Sequence, residues 1–355
     1  MSRKIRNTII TVLLTCAMAA LLFISLMNVN AMHRFSDVSL RYDEPISGQE
    51  AYQLRRFSIA RSEDETFWPT FWHEAKAQIV TEYRTTHAPC ILFSGDAALV
   101  IPANYLNGAA PGVTDGTGCA ISSTLAHELW GGSDVVGKTI EVDGIERIIR
   151  GVFEDTQSIA LISVRDEDTR QSFTAIELSG GPRSPTRTDV INFISASGLP
   201  TPDIILLSRP TFLASIMFAL PLIILAIYTL AVFIVRIKKT PLILSAVTFS
   251  ILLCLALILP ILLETLPSWL LPPRFSDFTF WTTLTNQLGA DLHEYLKLTP
   301  QLRDIAYMIL FYKQIGISFM STILALILCF LHTSRCQQIT PEVIPSTFQA
   351  QRELL

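Results

Sequence analysis

The sequence predicts an α+β extracytoplasmic domain joined to a four-span α-helical membrane domain, with one span before the outer domain and three after it. Three observations predict this class. Uncharged apolar runs occupy residues 9–27, 212–235, 242–263 and 315–331, each close to the ~20 residues needed to cross a bilayer. Residues 28–210 form a polar stretch between the first two runs, long enough to bury a core of its own. Basic residues gather at alternate ends of the runs: Arg3, Lys4 and Arg6 before the first, Arg236, Lys238 and Lys239 between the second and third, His332 and Arg335 after the fourth. Short cytoplasmic segments are enriched in Lys and Arg, so both termini are expected inside.

Taken in order, the chain divides into a cytoplasmic start (1–8), span 1 (9–27), an outer domain (28–210), span 2 (212–235), span 3 (242–263), an outer loop (264–314), span 4 (315–331) and a cytoplasmic tail (332–355). A basic start, an apolar run and the small residues near Val29-Asn30-Ala31 also fit a cleavable signal peptide. The run of about 19 residues exceeds the ~7–15 of a signal core and favours a retained anchor. Half of the residues are hydrophobic and the net charge is −4, with no basic patch, so no nucleic-acid partner is expected. Cys16, Cys254 and Cys329 lie in spans and Cys336 in the tail. Cys90 and Cys119 are left in the outer domain, where a disulfide is permitted. Both end apolar stretches, and buried free thiols are the alternative.

Inside the outer domain both structural periods occur. Helical patterns cover Gly48 to Ala60, Glu65 to Tyr83, Ser122 to Trp130 and Thr186 to Ser197. Strand patterns cover Ala88 to Gly95, Ala97 to Pro102, Lys138 to Gly144, Glu146 to Phe153, Ser158 to Val164 and Phe173 to Leu178. Ile140, Val142, Ile145 and Ile148 nearly alternate with polar neighbours around Asp143-Gly144, the pattern of a hairpin with one buried face. Ser179 to Arg187 reads as a loop rich in Gly, Pro and Ser.

Gly132-Ser133-Asp134-Val135-Val136-Gly137-Lys138-Thr139 matches G-x-x-x-x-G-K-[ST] letter for letter. A phosphate loop needs a strand before it and a helix after it, so that backbone N–H groups and the helix N-terminus converge on the anion. Here a helical pattern precedes and an alternating strand follows, so a turn is expected and no nucleotide. His127-Glu128 lacks a second histidine four residues on. His33, His73, His87 and His293 stand apart from other ligands, and Ser94-Gly95-Asp96 reads as a turn. No catalytic, cofactor-binding or metal residues are assigned, no cofactor is expected, and the chain is not expected to be an enzyme.

Tyr105 to Asp155 resembles the extracytoplasmic core domain of MacB-like, FtsX-related ABC transporter permeases. The resemblance lies in a Gly and Asp turn leading to Cys119-Ala120-Ile121-Ser122, a helix ending at Trp130-Gly131, the Val135 to Lys138 step, the hairpin, and the strand Ile149-Arg150-Gly151-Val152. Ile46 to Arg56 is similar to that domain's opening helix. Phe173 to Leu178, with a later helix and strand ending at Pro202-Asp203, is similar to its closing lobe. The family's layout of one span, outer domain and three spans matches the chain. The resemblance implies a permease-type subunit in the bacterial plasma membrane, partnered by a separate ABC ATPase and by a second copy or a related permease. It implies handling of a peptide, lipoprotein or amphipathic compound.

The four runs contain no Asp, Glu, Lys, Arg or His, residues an ion-coupled carrier keeps in its spans. Their polarity is limited to Thr, Ser, Cys and Tyr228, with Pro221 and Pro260 as kinks. In 264–314, Trp269, Phe275, Phe278, Phe280 and Trp281 suit either headgroup depth among membrane lipid or packing on the outer domain. Thr299-Pro300 predicts a helix start that carries Arg303, Asp304 and Lys313 on its outer end. MacB-like permeases carry a coupling helix between spans 2 and 3. This chain has only Arg236-Ile237-Lys238-Lys239-Thr240-Pro241, too short for such a helix, which leaves an uncoupled membrane-anchored binding or scaffold protein as the alternative.

Overall fold

The computed structural model describes residues 3–61, 67–165, 171–181, 185–237, 266–272, 274, 276–277 and 279–339. The predicted span 242–263, most of the turn before it and the tail from 340 lie outside the described residues. The chain divides into two units, one of residues 30–212 and 252–311, the other of 1–29, 213–251 and 312–355.

The first unit is built on ten strands: β1 (Val38–Ser47), β2 (Phe67–Val80), β3 (Thr85–Ser94), β4 (Tyr105–Gly108), β5 (Gly118–Ser122), β6 (Thr139–Val142), β7 (Ile145–Phe153), β8 (Ala160–Ser163), β9 (Ser172–Gly180) and β10 (Ile204–Leu207). They pair in the order β10-β1-β9-β2-β3-β8-β5-β7-β4, and β6 bridges β2 and β7. The second bridge closes a ring, because β2, β3, β8, β5, β7 and β6 each pair with the next and β6 returns to β2 at Ile79↔Val142. The N-terminal half of β2 continues into an open sheet with β9, β1 and β10. Two hydrophobic clusters line the two faces, one containing Ile79, Cys90, Cys119, Ile121, Ile140 and Ile162, the other Trp72, Ile91, Phe93, Phe153 and Leu161.

The hairpin forms as its alternation predicts. Asp143 and Gly144 both take positive φ, 47° and 82°, the backbone of a two-residue turn whose twist matches the strands. Gly151 is needed for a different reason. A Cβ there would lie 2.4 Å from the carbonyl oxygen of Ala109, so only glycine lets that segment approach β7.

Two expectations are overturned. Glu65 to Tyr83 is not a helix: its described part is strand β2, paired with β3 from Phe71 to Val80 and with β9 from Phe67 to Trp72. Its Glu-Ala-Lys-Ala-Gln core has helix-forming residues, but partners on both sides outweigh that local preference. Pro69 also belongs near a strand's start rather than inside a helix. Ala97 to Pro102 is not a strand. Ala97–Val100 is the short helix α3, started by Asp96, whose side chain accepts from the Ala98 N–H at 2.9 Å. The closing strand does not end at Pro202-Asp203; it follows them as β10.

The other domain helices match their patterns. Helix α2 covers Gly48–Arg61, α4 Ser123–Trp130 and α5 Arg187–Ser197. Ser122 caps α4 by accepting from Leu125 N–H. Thr186 and Asp189 form a capping box on α5. Helix α7 (Thr279–Lys297; α6 is described below) packs on β10.

Cys90 and Cys119 are buried free thiols. They flank β8, with Cys90 opposite Ala160 and Cys119 opposite Ile162. Two strand spacings and a two-residue offset separate their Cα atoms by on the order of 10 Å, beyond the ~7 Å that a disulfide spans. Burial pushes both thiols up to about 12. Neither is therefore expected to react with maleimide in native membranes, and both should react after denaturation. Rapid native labelling, read by mass spectrometry, would contradict this buried placement.

Among the described residues, three helices are long and apolar enough to cross a membrane: α1 (Arg3–Met32) and α6 (Arg209–Ile237), which flank the domain in sequence, and α8 (Leu302–Ile339). In the second unit, Ser25 and Asn28, near the end of α1, meet Gln314 of α8. Gln314 donates to Ser25 Oγ at 2.7 Å and accepts from Asn28 at 3.2 Å. Helix α6 runs parallel to α8. The Ala214 carbonyl near its start faces Gln314 at 3.4 Å, and Tyr228 farther along meets His332 and Thr333 at 2.7 and 2.9 Å. Gln314 and Asn28 lie one residue outside the predicted span limits, so the sequence reading missed this buried polar contact.

Candidate functional site

The distinctive site of the outer domain is a buried charge network, assembled by strand register. Ser39 pairs with Glu177 and Arg41 with Ala175 across β1 and β9; Glu177 pairs with Thr70 and Ala175 with Trp72 across β9 and β2. Alternation therefore places Ser39, Arg41, Glu177 and Trp72 on one sheet face. Helix α8 brings Arg303 and Asp304 to that face from its first turn.

Glu177 is completely buried. One carboxylate oxygen, Oε1, lies 3.1 Å from Arg41 Nη1, accepts from Ser39 Oγ at 2.7 Å and accepts from Trp72 Nε1 at 2.9 Å. The other, Oε2, lies 2.8 Å from Arg303 Nη2 and accepts from Ser36. Asp304 Oδ1 closes the set at 2.7 Å from Arg41 Nη2 and 3.7 Å from Arg303 Nη1. Arg41 also lies over the Trp72 ring at 4.9 Å, and Arg303 over the Phe35 ring at 5.4 Å.

Two guanidinium groups and two carboxylates make the network neutral. Burial opposes the charge of Arg41, but Glu177 and Asp304 outweigh it and hold its pKa above the usual value. Such a network adds little net stability, because desolvation offsets the attraction. Removing one member is costly, because it strands a buried charge. A cavity of about 20 Å³ beside Ser36, Ser39, Tyr295, Arg303, Asp304 and Tyr307 has room for about one water molecule. The chemistry available here is fixed charge and shape. Among the described residues no cluster of three or more His, Cys, Asp or Glu could hold a metal.

The network fastens α8 to the sheet. Its start is held further by Glu74, which accepts from the Leu302 N–H at 2.8 Å, and by Asp304, which accepts from the Gln301 N–H at 3.2 Å. Negative groups at a helix N-terminus complement the helix dipole. The helix thus begins at Leu302, two residues after Pro300, and Arg303 and Asp304 are buried rather than carried on an open end. Lys313 is exposed.

The start of α6 has its own clamp. Arg209 is ion-paired to Asp291 of α7 and lies over the Trp269 ring at 5.2 Å. Arg187 reaches Glu294 at 2.8 Å and Asp291 at 3.8 Å. Burial raises the Asp291 carboxyl, and Arg209 and Arg187 pull it back only in part. After α1, Arg34 donates to Asn104 and to the Ala103 carbonyl at 2.8 and 3.0 Å. Thr211 of α6 and Tyr307 of α8 share a hydroxyl hydrogen bond of 2.7 Å.

The phosphate-loop pattern lies in the loop between α4 and β6, with no helix leaving it. Two of its backbone donors are engaged elsewhere: Gly137 N–H bonds to Ile149 O at 2.8 Å and Lys138 N–H to Val135 O at 3.1 Å. Lys138 Nζ sits 5.5 Å over the Trp130 ring. Lys138→Ala should cost about 0.5–1 kcal/mol, the worth of an exposed cation–π contact, and leave nucleotide hydrolysis by any purified complex unchanged. A thermal melt and an ATPase assay on the variant check both parts. His127 Nδ1 donates locally to the Ser123 carbonyl at 2.8 Å, and Glu128 accepts from Thr86 and Ser158. Ser94 to Asp96 is a turn into α3.

The sequence reading assigned no site residues and missed this network. A signal was present: Arg41 and Glu177 interrupt strongly apolar strands, and Arg303-Asp304 opens an apolar helix. Only pairing shows that they meet.

Fold and site together define a membrane protein whose mixed α/β domain is held between apolar helices. No family model matches the chain, and no curated protein matches it. Among solved structures it is similar to the periplasmic region of MacB from Actinobacillus actinomycetemcomitans, with 10% identity and a TM-score of 0.39 over 48% of this chain and 88% of that one. It is also similar to the extracellular domain of the ABC-type transporter YknZ from Gram-positive bacteria, with 10% identity and a TM-score of 0.35 over 46% of this chain and 88% of that one. A permease-protein domain from Porphyromonas gingivalis shows 16% identity and a TM-score of 0.34 over 46% and 85%.

Proposed function

We propose that this chain is the permease-type membrane subunit of a MacB-like ABC system. It works with a separate ATPase, as a homodimer or beside a related permease, and transmits movement of its spans to the outer domain rather than passing cargo through a pore. The observation that carries this reading is the Arg41–Glu177–Arg303–Asp304 network. A helix pinned to a sheet by four mutually dependent charges moves with that sheet, so a shift along α8 reaches β1, β9 and β2 without loss. The cargo class is a peptide, a lipoprotein or an amphipathic compound.

The parallel course of α6 and α8 supports a fourth span. Helix α6 has 29 residues, about 43 Å at 1.5 Å each, and the Trp269 ring packs edge-on against Phe212 near its start at 5.3 Å. The apolar run 242–263 is by length and composition sufficient to cross a bilayer. With basic residues at the far ends, both termini are cytoplasmic and the domain lies outside.

The alternative is an uncoupled, membrane-anchored binding or scaffold protein, favoured by the six-residue segment Arg236 to Pro241. Purification of the tagged chain from native membranes in mild detergent decides between them. The transporter reading expects a stoichiometric ABC ATPase, with hydrolysis lost when that partner's own phosphate-loop lysine is changed. Recovery of the chain alone, without hydrolysis, establishes the scaffold reading.

A further inference from the structure

Helix α7 carries an apolar stripe that the described residues leave largely exposed. Its inward face is accounted for: Leu284 and Asp291 are buried, Asp291 pairs with Arg209, and Tyr295 donates to the Leu207 carbonyl at 2.7 Å. Beside that face, Trp281, Leu288, Leu292 and Leu296 are 52%, 37%, 60% and 74% exposed. At 100° per residue these four fall within an arc of about 80°. Asn286, Ala290 and Lys297 lie about 120–160° from the centre of that arc, on the opposite side of the wheel.

We propose that α7 is an interfacial helix that lies on the outer leaflet of the bilayer, with this stripe in the lipid. Three observations select lipid as the occupant. Helix α7 is tied to the start of α6 through Arg209 and leads within four residues into α8, so it sits where two membrane-capable helices begin. The first turns of α8 also expose apolar side chains, Ile305 and Ile309. A stripe of four side chains is also far short of the roughly 800 Å² per partner that a stable protein interface buries, whereas Trp and Leu on one helix face suffice to seat a helix at headgroup depth. The stripe makes α7 a gauge of the membrane surface: through Asp291 and Arg209 it holds α6, and through the residues that follow it holds α8.

The full chain in nanodiscs of phosphatidylethanolamine and phosphatidylglycerol, with and without brominated acyl chains, tests this. The difference between the parent protein and Trp281→Phe isolates the Trp281 emission. Brominated lipid is expected to quench that component, and acrylamide is expected to spare it. In the Trp281→Phe background, Ala290→Trp on the opposite, exposed face should behave in the reverse manner. Trp281 emission quenched by acrylamide but not by brominated lipid would place the stripe in water and overturn the proposal. Protection from both quenchers would put a protein partner there instead, and would overturn it equally. Neither result depends on whether an ATPase co-purifies.

Discussion

Glu177→Ala is expected to destabilise the outer domain by about 3–5 kcal/mol, the cost of breaking a buried ion pair by removing one partner. The side chain is fully buried, and its two oxygens serve Arg41, Arg303, Ser36, Ser39 and Trp72. Alanine would leave two guanidinium groups facing a single carboxylate, Asp304, out of reach of water. Glu177→Gln keeps the shape and an acceptor for Trp72 but removes the charge, so it should fall between alanine and the parent. Thermal unfolding of the full chain in detergent, followed by circular dichroism, measures both. An alanine variant that melts with the parent would show that the network is not a closed set of buried charges. In a coupled complex, either variant should also weaken the response of ATP hydrolysis to cargo, because α8 loses its grip on the sheet.

Trp72→Ala should cost about 3–5 kcal/mol through the cavity it leaves. Trp72 is among the largest fully buried side chains, and it contacts the network in two ways, by its Nε1–H to Glu177 and by its face under Arg41. Trp72→Phe separates these roles. Phenylalanine fills most of the space and keeps an aromatic face, but it offers no donor to the carboxylate, so a loss of roughly 1–3 kcal/mol is expected, the value of a hydrogen bond to a charged group. Urea unfolding of the two variants supplies the comparison. Equal losses for Ala and Phe would mean that the hydrogen bond dominates; no loss for Phe would mean that Trp72 acts by volume alone.

Much of the outer domain was legible where local chemistry and tertiary pairing agree. The Asp143-Gly144 hairpin, the capped helix from Thr186 and the helix ending at Trp130-Gly131 all carry signals within a few residues: a turn pair, a capping box, a left-handed glycine. Strand β2 was misread because its middle favours a helix in isolation, and the strand is imposed by β3 and β9. Strands β1, β4 and β5 went unread, and β10 was placed a few residues early, for a related reason. Buried on both faces, β5 has no alternation to detect, and β4 and β10 have only four residues each.

The sequence by itself determined the membrane character and the position of the α/β domain between apolar segments. These follow from residue order alone, through the length and placement of the apolar runs. Only the tertiary structure decided that Arg41, Glu177, Arg303 and Asp304 form one network, that Cys90 and Cys119 are held apart by β8, and that α6 and α8 run parallel. The physical reason is that strand register and helix packing bring together groups as far apart in sequence as Arg41 and Asp304. A buried charge reveals its partner only when the backbone that carries both is in place.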